Sequence, residues 1–183
     1  MRFINLLVNW KFPAQVDDWI SPTLARLLFA GILLVYYWNS AVTKLGDGIF
    51  GIFSPSAGAY AQMFPEAAAA VSYDTSQLGI VYWFIAVAGM YAEFILPLLI
   101  LIGLFSRLAA LGMIGFIIVQ TYVDLVGHGL DSKSVGAWFD RLPDATIWDQ
   151  RMLWVFLLIT IIIKGAGPLS LDQILSNRLA FKN

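Results

Sequence analysis

The sequence predicts an all-α protein: a four-helix transmembrane bundle with short interfacial helices at the N-terminus, in the outer loops and at the C-terminus. Three observations predict it. The chain is 60% hydrophobic and only 13% charged, whereas a soluble domain is about half apolar and about a quarter charged. Its mean hydropathy is +0.77, and a chain of 183 residues cannot hide that much apolar surface from water in one core. Four apolar windows approach the roughly 20 residues that a helix needs to cross a bilayer. Residues 1–183 read as one membrane domain.

The first expected span covers residues 23–44. Ser21 is placed to cap it, and Pro22 sits at the first helical position, where proline is tolerated. The second covers 78–104 and the third 107–125. The fourth covers 149–164 and is closed by "GAGP", a glycine-proline stop. "MRFINLLVNWKF" mixes apolar and basic residues and reads as an interfacial helix; its short, broken apolar run makes it a poor signal peptide. The 46–77 connection predicts a re-entrant or surface segment with a short helix near 57–71, and 131–149 predicts a second surface segment. After the last span, Ser170 and Gln173 fit a capping box opening a short amphipathic helix.

Charge predicts the orientation. One side collects Arg2, Arg26, Lys11, Arg107, Lys164, Arg178 and Lys182; the other holds Lys44, Lys133, Arg141 and Arg151 with most of the outer aspartates. Both termini are therefore expected in the cytoplasm of a bacterial cell, with the chain multi-pass in the inner membrane. A net charge of −1 gives no footprint for nucleic acid. With no cysteine and one histidine, the chain has no thiol chemistry and no bis-histidine haem site. Iron–sulfur and nucleotide motifs are also missing.

The residues that carry chemistry lie inside the spans. Glu93 stands in an otherwise apolar stretch, and a lone ionised carboxylate in hydrocarbon is costly, so it is expected to be paired or protonated. At 100° per residue, Arg26, Ala30, Leu33, Tyr37, Ser40 and Lys44 share one stripe of span one. Arg26 is the expected charged partner of Glu93, with Lys44 the weaker candidate. The candidate intramembrane polar site is Glu93, Arg26, Tyr37 and Lys44, and its charges act either as a ligand or proton site or as glue that sets the register of the bundle. Span three carries a second stripe: Phe116, Gln120, Asp124 and His128. Asp124 and His128 are weak metal candidates, and a hydrated helix end with an Asp–Arg pair is the preferred reading. Arg107 and Lys164 read as interfacial anchors.

"LARLLFAGILLVYYWNSAVTKLGDG" in span one, "YAEFILPLLILIGLFSRLAALG" across spans two and three, and "KGAGPLSLD" after span four together resemble the DoxX family of small four-span membrane proteins. The resemblance covers roughly 24–175 and implies a four-helix membrane bundle. It also implies that some relatives serve as membrane subunits in quinone-coupled sulfur or redox chemistry, and that others are encoded beside secreted-peptide or metal-handling systems. Relatives that act through cysteine pairs are no guide to this chain. The expected function is an accessory or anchor subunit of a quinone-linked redox system, with a quinone held near Glu93, Tyr37 and the Arg26 face and a protein partner or a second copy of the chain beside it. The alternatives are a small proton- or cation-coupled transporter or export accessory, and a purely structural assembly subunit.

Overall fold

The protein is described by a computed structural model covering Ile4, Asn5, Val8, Asn9 and residues 13–180. Eight α-helices are described: α1 (Ala14–Lys44), α2 (Ala57–Met63), α3 (Pro65–Ala70), α4 (Ile80–Ile102), α5 (Ser106–Tyr122), α6 (Ser132–Val135), α7 (Met152–Lys164) and α8 (Leu171–Ala180). Two wide-turn π-helical segments, Val123–Gly127 and Thr146–Arg151, extend α5 and α7 at the same end of the bundle. With these extensions, four helices among the described residues are long and apolar enough to cross a membrane. The interfacial helix expected over residues 1–12 lies largely outside the described residues.

The spanning helices form a closed ring, in which α1 packs on α4 and α7, and α5 packs on both of these. The core is Phe29, Leu33 and Tyr37 from α1, Ile100 from α4, Ala109, Ala110, Met113 and Ile117 from α5, and Trp154, Leu158 and Ile161 from α7. The outward faces are equally apolar: Phe84, Leu111, Ile118 and Phe156 are all exposed. A helix apolar all round satisfies its backbone internally and suits hydrocarbon on one side and packing on the other. The chain is accordingly a multi-pass membrane protein. The end where α1 finishes and the connecting helices lie is here the loop end; the end that carries α8 is the terminus end.

Several boundaries differ from the expectation, each for a local reason. α1 begins at Ala14, and Pro22 lies inside it. Ser21 does not cap; its hydroxyl donates to Asp17 Oδ1 at 2.7 Å. Proline there removes one backbone donor near the end of the helix, and the chain N-terminal to it still finds helical partners. The short helix expected near 57–71 is two helices, broken at Phe64 where Pro65 restarts the backbone. The last span starts at Thr146 rather than 149. Ser170 does cap α8, accepting the Gln173 N–H at 3.2 Å, but the Gln173 side chain turns away to Asn177.

The terminus end is closed by a clasp around Arg26. Its guanidinium donates to the carbonyls of Ile100 (2.9 Å), Leu101 (2.7 Å), Ala166 (2.5 Å) and Leu169 (2.9 Å). The last carbonyls of a helix have no partner of their own, and here one side chain satisfies them for α4 while holding the chain after α7. Asp172 completes the clasp by accepting the N–H groups of Phe105 (2.7 Å) and Ser106 (2.9 Å) at the start of α5. Gly103 is required in this turn twice over: its φ is +70, and a Cβ would collide with Ser170 and the Arg26 guanidinium.

Candidate functional site

The carboxylate of Glu93 is bound by Lys44, not by Arg26. Lys44 Nζ donates to Glu93 Oε1 at 3.1 Å and Oε2 at 3.0 Å, and both residues are buried, 3% and 4% exposed. Ser40 sits between them, donating its hydroxyl to Glu93 Oε1 at 3.1 Å and accepting from Lys44 at 2.6 Å. The Ser40 carbonyl takes a further bond from Lys44 at 3.2 Å. The ammonium is fully engaged, whereas Oε2 has a single protein partner.

The reason the expected pairing with Arg26 fails is directional. Every Cα–Cβ bond in a helix tilts toward the helix N-terminus. α1 and α4 run antiparallel, so Arg26 leans toward the terminus end while Glu93 leans toward the loop end. Lys44, the last residue of α1, leans back into the bundle and meets it. Pro97 contributes locally, since it cannot donate to the carbonyl of Glu93 one turn earlier. The next carbonyl, Phe94, accepts Trp38 Nε1 at 3.1 Å and ties α1 to α4 beside the pair.

The pair lines a cavity of about 540 Å³ between α1, α4 and α5, covered at the loop end by the α2–α3 turn. Its wall is made of small and apolar residues: Ile85, Ala88, Gly89 and Ala92 from α4, and Gly112, Gly115, Phe116 and Val119 from α5. A Cβ at Gly115 would meet nothing within 4 Å, so glycine there leaves open space. Met63 of the covering turn seats in the notch at Gly89, and Pro65 packs against Gly127. On the helix of Glu93 itself, Ala86 and Pro97 are buried with it, while Gly89 belongs to the cavity.

The span-three stripe runs along the same space. Phe116, Gln120, Asp124 and His128 all line it, with Phe116 packed against the core and His128 at the loop end. Gln120 joins two tyrosines, accepting from Tyr37 at 3.3 Å and donating to Tyr36 at 3.1 Å. Tyr37 itself is fully buried against Phe116, and Tyr36 is the tyrosine on the cavity. Asp124 pairs with the buried Arg151, which also donates to Thr121 at 2.8 Å. The two wide-turn segments are therefore joined by an ion pair. His128 Nε2 lies 2.9 Å from the carbonyl of Gln62 and holds the covering turn. Among the described residues, no group of three His, Cys, Asp or Glu side chains is placed to hold a metal.

Of the four residues expected in the intramembrane site, Glu93 and Lys44 come together. Tyr37 lies behind them in the core, and Arg26 is at the far end in the clasp. Sequence reading missed Tyr36, Gln62 and the glycines that make the space. The Gly112 and Gly115 spacing, three apart on α5, is the signal that marks that open face. A second crevice, about 760 Å³, lies at the terminus end between Trp19, Arg107, Lys164 and Asp172. Its charges are largely paired with one another: Lys164 binds Asp17, and Asp18 at 3.1 Å. The cavity between α1, α4 and α5, with a buried carboxylate that has spare accepting capacity, is the stronger candidate.

A sequence model of the DoxX family matches residues 21–128. The chain belongs to the DoxX family. The matched region begins in α1 and ends at His128, so every cavity-lining residue falls inside the family domain, while Arg151 and the Ala166 and Leu169 halves of the clasp fall outside it. No curated protein and no solved structure was found to match the chain.

Proposed function

We propose that this DoxX-family protein is an accessory or anchor subunit of a quinone-linked redox system, and that the cavity beside Glu93 and Lys44 receives the quinone headgroup. One observation carries the reading: an apolar-walled cavity of about 540 Å³ with a buried ion pair on its inner wall. Ligand cavities for small molecules run from about 300 to 1,000 Å³, are mostly apolar, and hold a few polar groups that fix orientation. A quinone ring needs such walls, and its oxygens need a donor and an exchangeable proton. The Tyr36 hydroxyl, which accepts from Gln120 and keeps its own hydrogen, offers the donor, and the Glu93 carboxyl offers the exchangeable proton. The aromatic face of Phe116 and the hydroxyl of Tyr36 line the same space. On this reading a partner protein carries the electrons, since the chain brings no cysteine and its described residues place no His, Cys, Asp and Glu group for a metal. The excess of Lys and Arg on the terminus side supports an orientation in the inner membrane with both termini in the cytoplasm and the loop end outside.

The test is binding. Purified protein is titrated with ubiquinone-1 and with menadione, and occupancy is followed by the shift in melting temperature. Saturable stabilisation that is lost in Glu93→Gln and in Gly115→Leu supports the reading. No shift with either compound, or a shift unchanged in both variants, overturns it. The polar rim of Gln120, Asp124 and His128 favours a second reading, a proton- or cation-coupled transporter. Proton-driven solute uptake by proteoliposomes tests that one.

A further inference from the structure

The polar groups inside the bundle are unequally distributed along its axis. From Glu93 toward the terminus end the interior is Phe29, Leu33, Ile100, Met113, Leu158 and Ile161, all at 0% or 1% exposure. The buried charge in that direction is Arg26, which donates to four carbonyls. Toward the loop end the picture reverses. Ser40 and Lys44 form the last turn of α1, and beyond them the cavity is lined by Gln120, Asp124, Gln62 and His128. The cavity volume is far above the roughly 10–15 Å³ that one water needs, and this end supplies the polar partners that a water requires.

We propose that Glu93 exchanges its proton with water on the loop side of the membrane only. In the protonated state Glu93 holds the proton on its carboxyl oxygen. On release the O–H bond breaks, the proton passes to a cavity water, and the carboxylate left behind is held by the Lys44 ammonium. The proton leaves past Gln120 and the Asp124–His128 rim. The charged and titratable groups around this route are Lys44, Tyr36 and Tyr37 from α1, Asp124 and His128 from α5 and its extension, and Arg151 from the segment before α7; Gln62 is the facing residue of α2. Among the described residues no such route runs toward the terminus end, because a proton there would have to cross a close-packed layer of apolar side chains. The inference stands on the polarity of the interior and holds whether or not the cavity takes a quinone. If the ligand gains or loses a proton at Glu93, that proton is drawn from or delivered to the loop side.

The test uses N,N′-dicyclohexylcarbodiimide, which enters from the lipid and reacts with protonated buried carboxyls. The full chain is placed in sealed vesicles with different pH on the two faces, and labelling of the Glu93 peptide is read by mass spectrometry. A Ser132→Cys variant in the otherwise cysteine-free chain reports, through an impermeant maleimide, which face carries the loop end. A Glu93→Gln chain establishes the peptide assignment. Labelling is expected to fall as loop-side pH is raised, by about tenfold per unit once the carboxylate dominates, and to ignore the pH of the terminus side. Labelling that follows the terminus side, both sides or neither overturns the proposal.

Discussion

Replacing Lys44 by methionine tests the central pair. The substitution keeps the length of the stem and removes the charge, leaving Glu93 buried with Ser40 as its remaining side-chain partner. Breaking a buried pair by removing one member costs about 3–5 kcal/mol. A carboxyl can limit that cost by taking a proton. With a solution value of about 4.3 and about 1.36 kcal/mol per unit, neutralising it at pH 7 costs about 3.7 kcal/mol, and at pH 5 about 1 kcal/mol. In the variant the folded state binds a proton that the unfolded state has released, so its stability falls as pH rises. Lys44→Met should therefore be destabilised by about 3–4 kcal/mol at pH 7 and by about 1 kcal/mol at pH 5. Glu93→Gln should cost less, because Lys44 ends α1 and its stem can turn toward the loop-end headgroups. The double variant Lys44→Met with Glu93→Gln should recover most of the loss. Reversible unfolding in mixed micelles, followed by circular dichroism at both pH values, measures all three. A penalty that does not change with pH, or a double variant no better than Lys44→Met, would refute the reasoning.

Arg26→Lys should fail to rescue what Arg26→Met loses, since one ammonium has three donors and cannot reproduce a planar fork serving four carbonyls; the yield of folded, monodisperse protein and its melting temperature report this, and a wild-type-like Arg26→Lys would show the clasp to be only an electrostatic contact. Gly115→Ala should keep the fold or stabilise it by about 0.5–1 kcal/mol, because it adds helix propensity in open space, and the larger Gly115→Leu should fill the cavity and abolish ligand binding, as read by calorimetric titration. Asp131 caps α6 by accepting the N–H groups of Ser134 and Lys133, and these bonds hold its carboxyl below the ordinary carboxylate value, with the Ser134 backbone the largest contributor. That capping is present above the ordinary carboxylate range and lost as pH falls through the lower folded value, so the Ser134 amide signal in serine-labelled NMR spectra should shift only at a pH below the usual carboxylate midpoint.

Much of this protein is determined by the sequence alone because the bilayer leaves few solutions. Apolar runs of the right length must be helices, so four spans and an all-α bundle follow from composition. The stripe from Arg26 to Lys44 is legible from 3.6-residue periodicity, and α1 does turn that face inward. The Phe116–His128 stripe is legible for the same reason, and it lines one cavity. Partner choice is not legible in this way. Arg26 and Lys44 share one face of one helix, and the sequence reading took the wrong one, Arg26, as the partner of Glu93. Only the antiparallel packing of α1 on α4, together with the tilt of side chains toward each helix's N-terminus, sends Arg26 to the carbonyls of Ile100 and Leu101 and Lys44 to Glu93. The extension of α1 back through Pro22, the break at Phe64 and the cavity itself depend on tertiary contacts. The cavity is set by what the glycines of α4 and α5 do not fill once Met63 seats against Gly89. Such absences of side chain acquire meaning only when the neighbouring helices are in place.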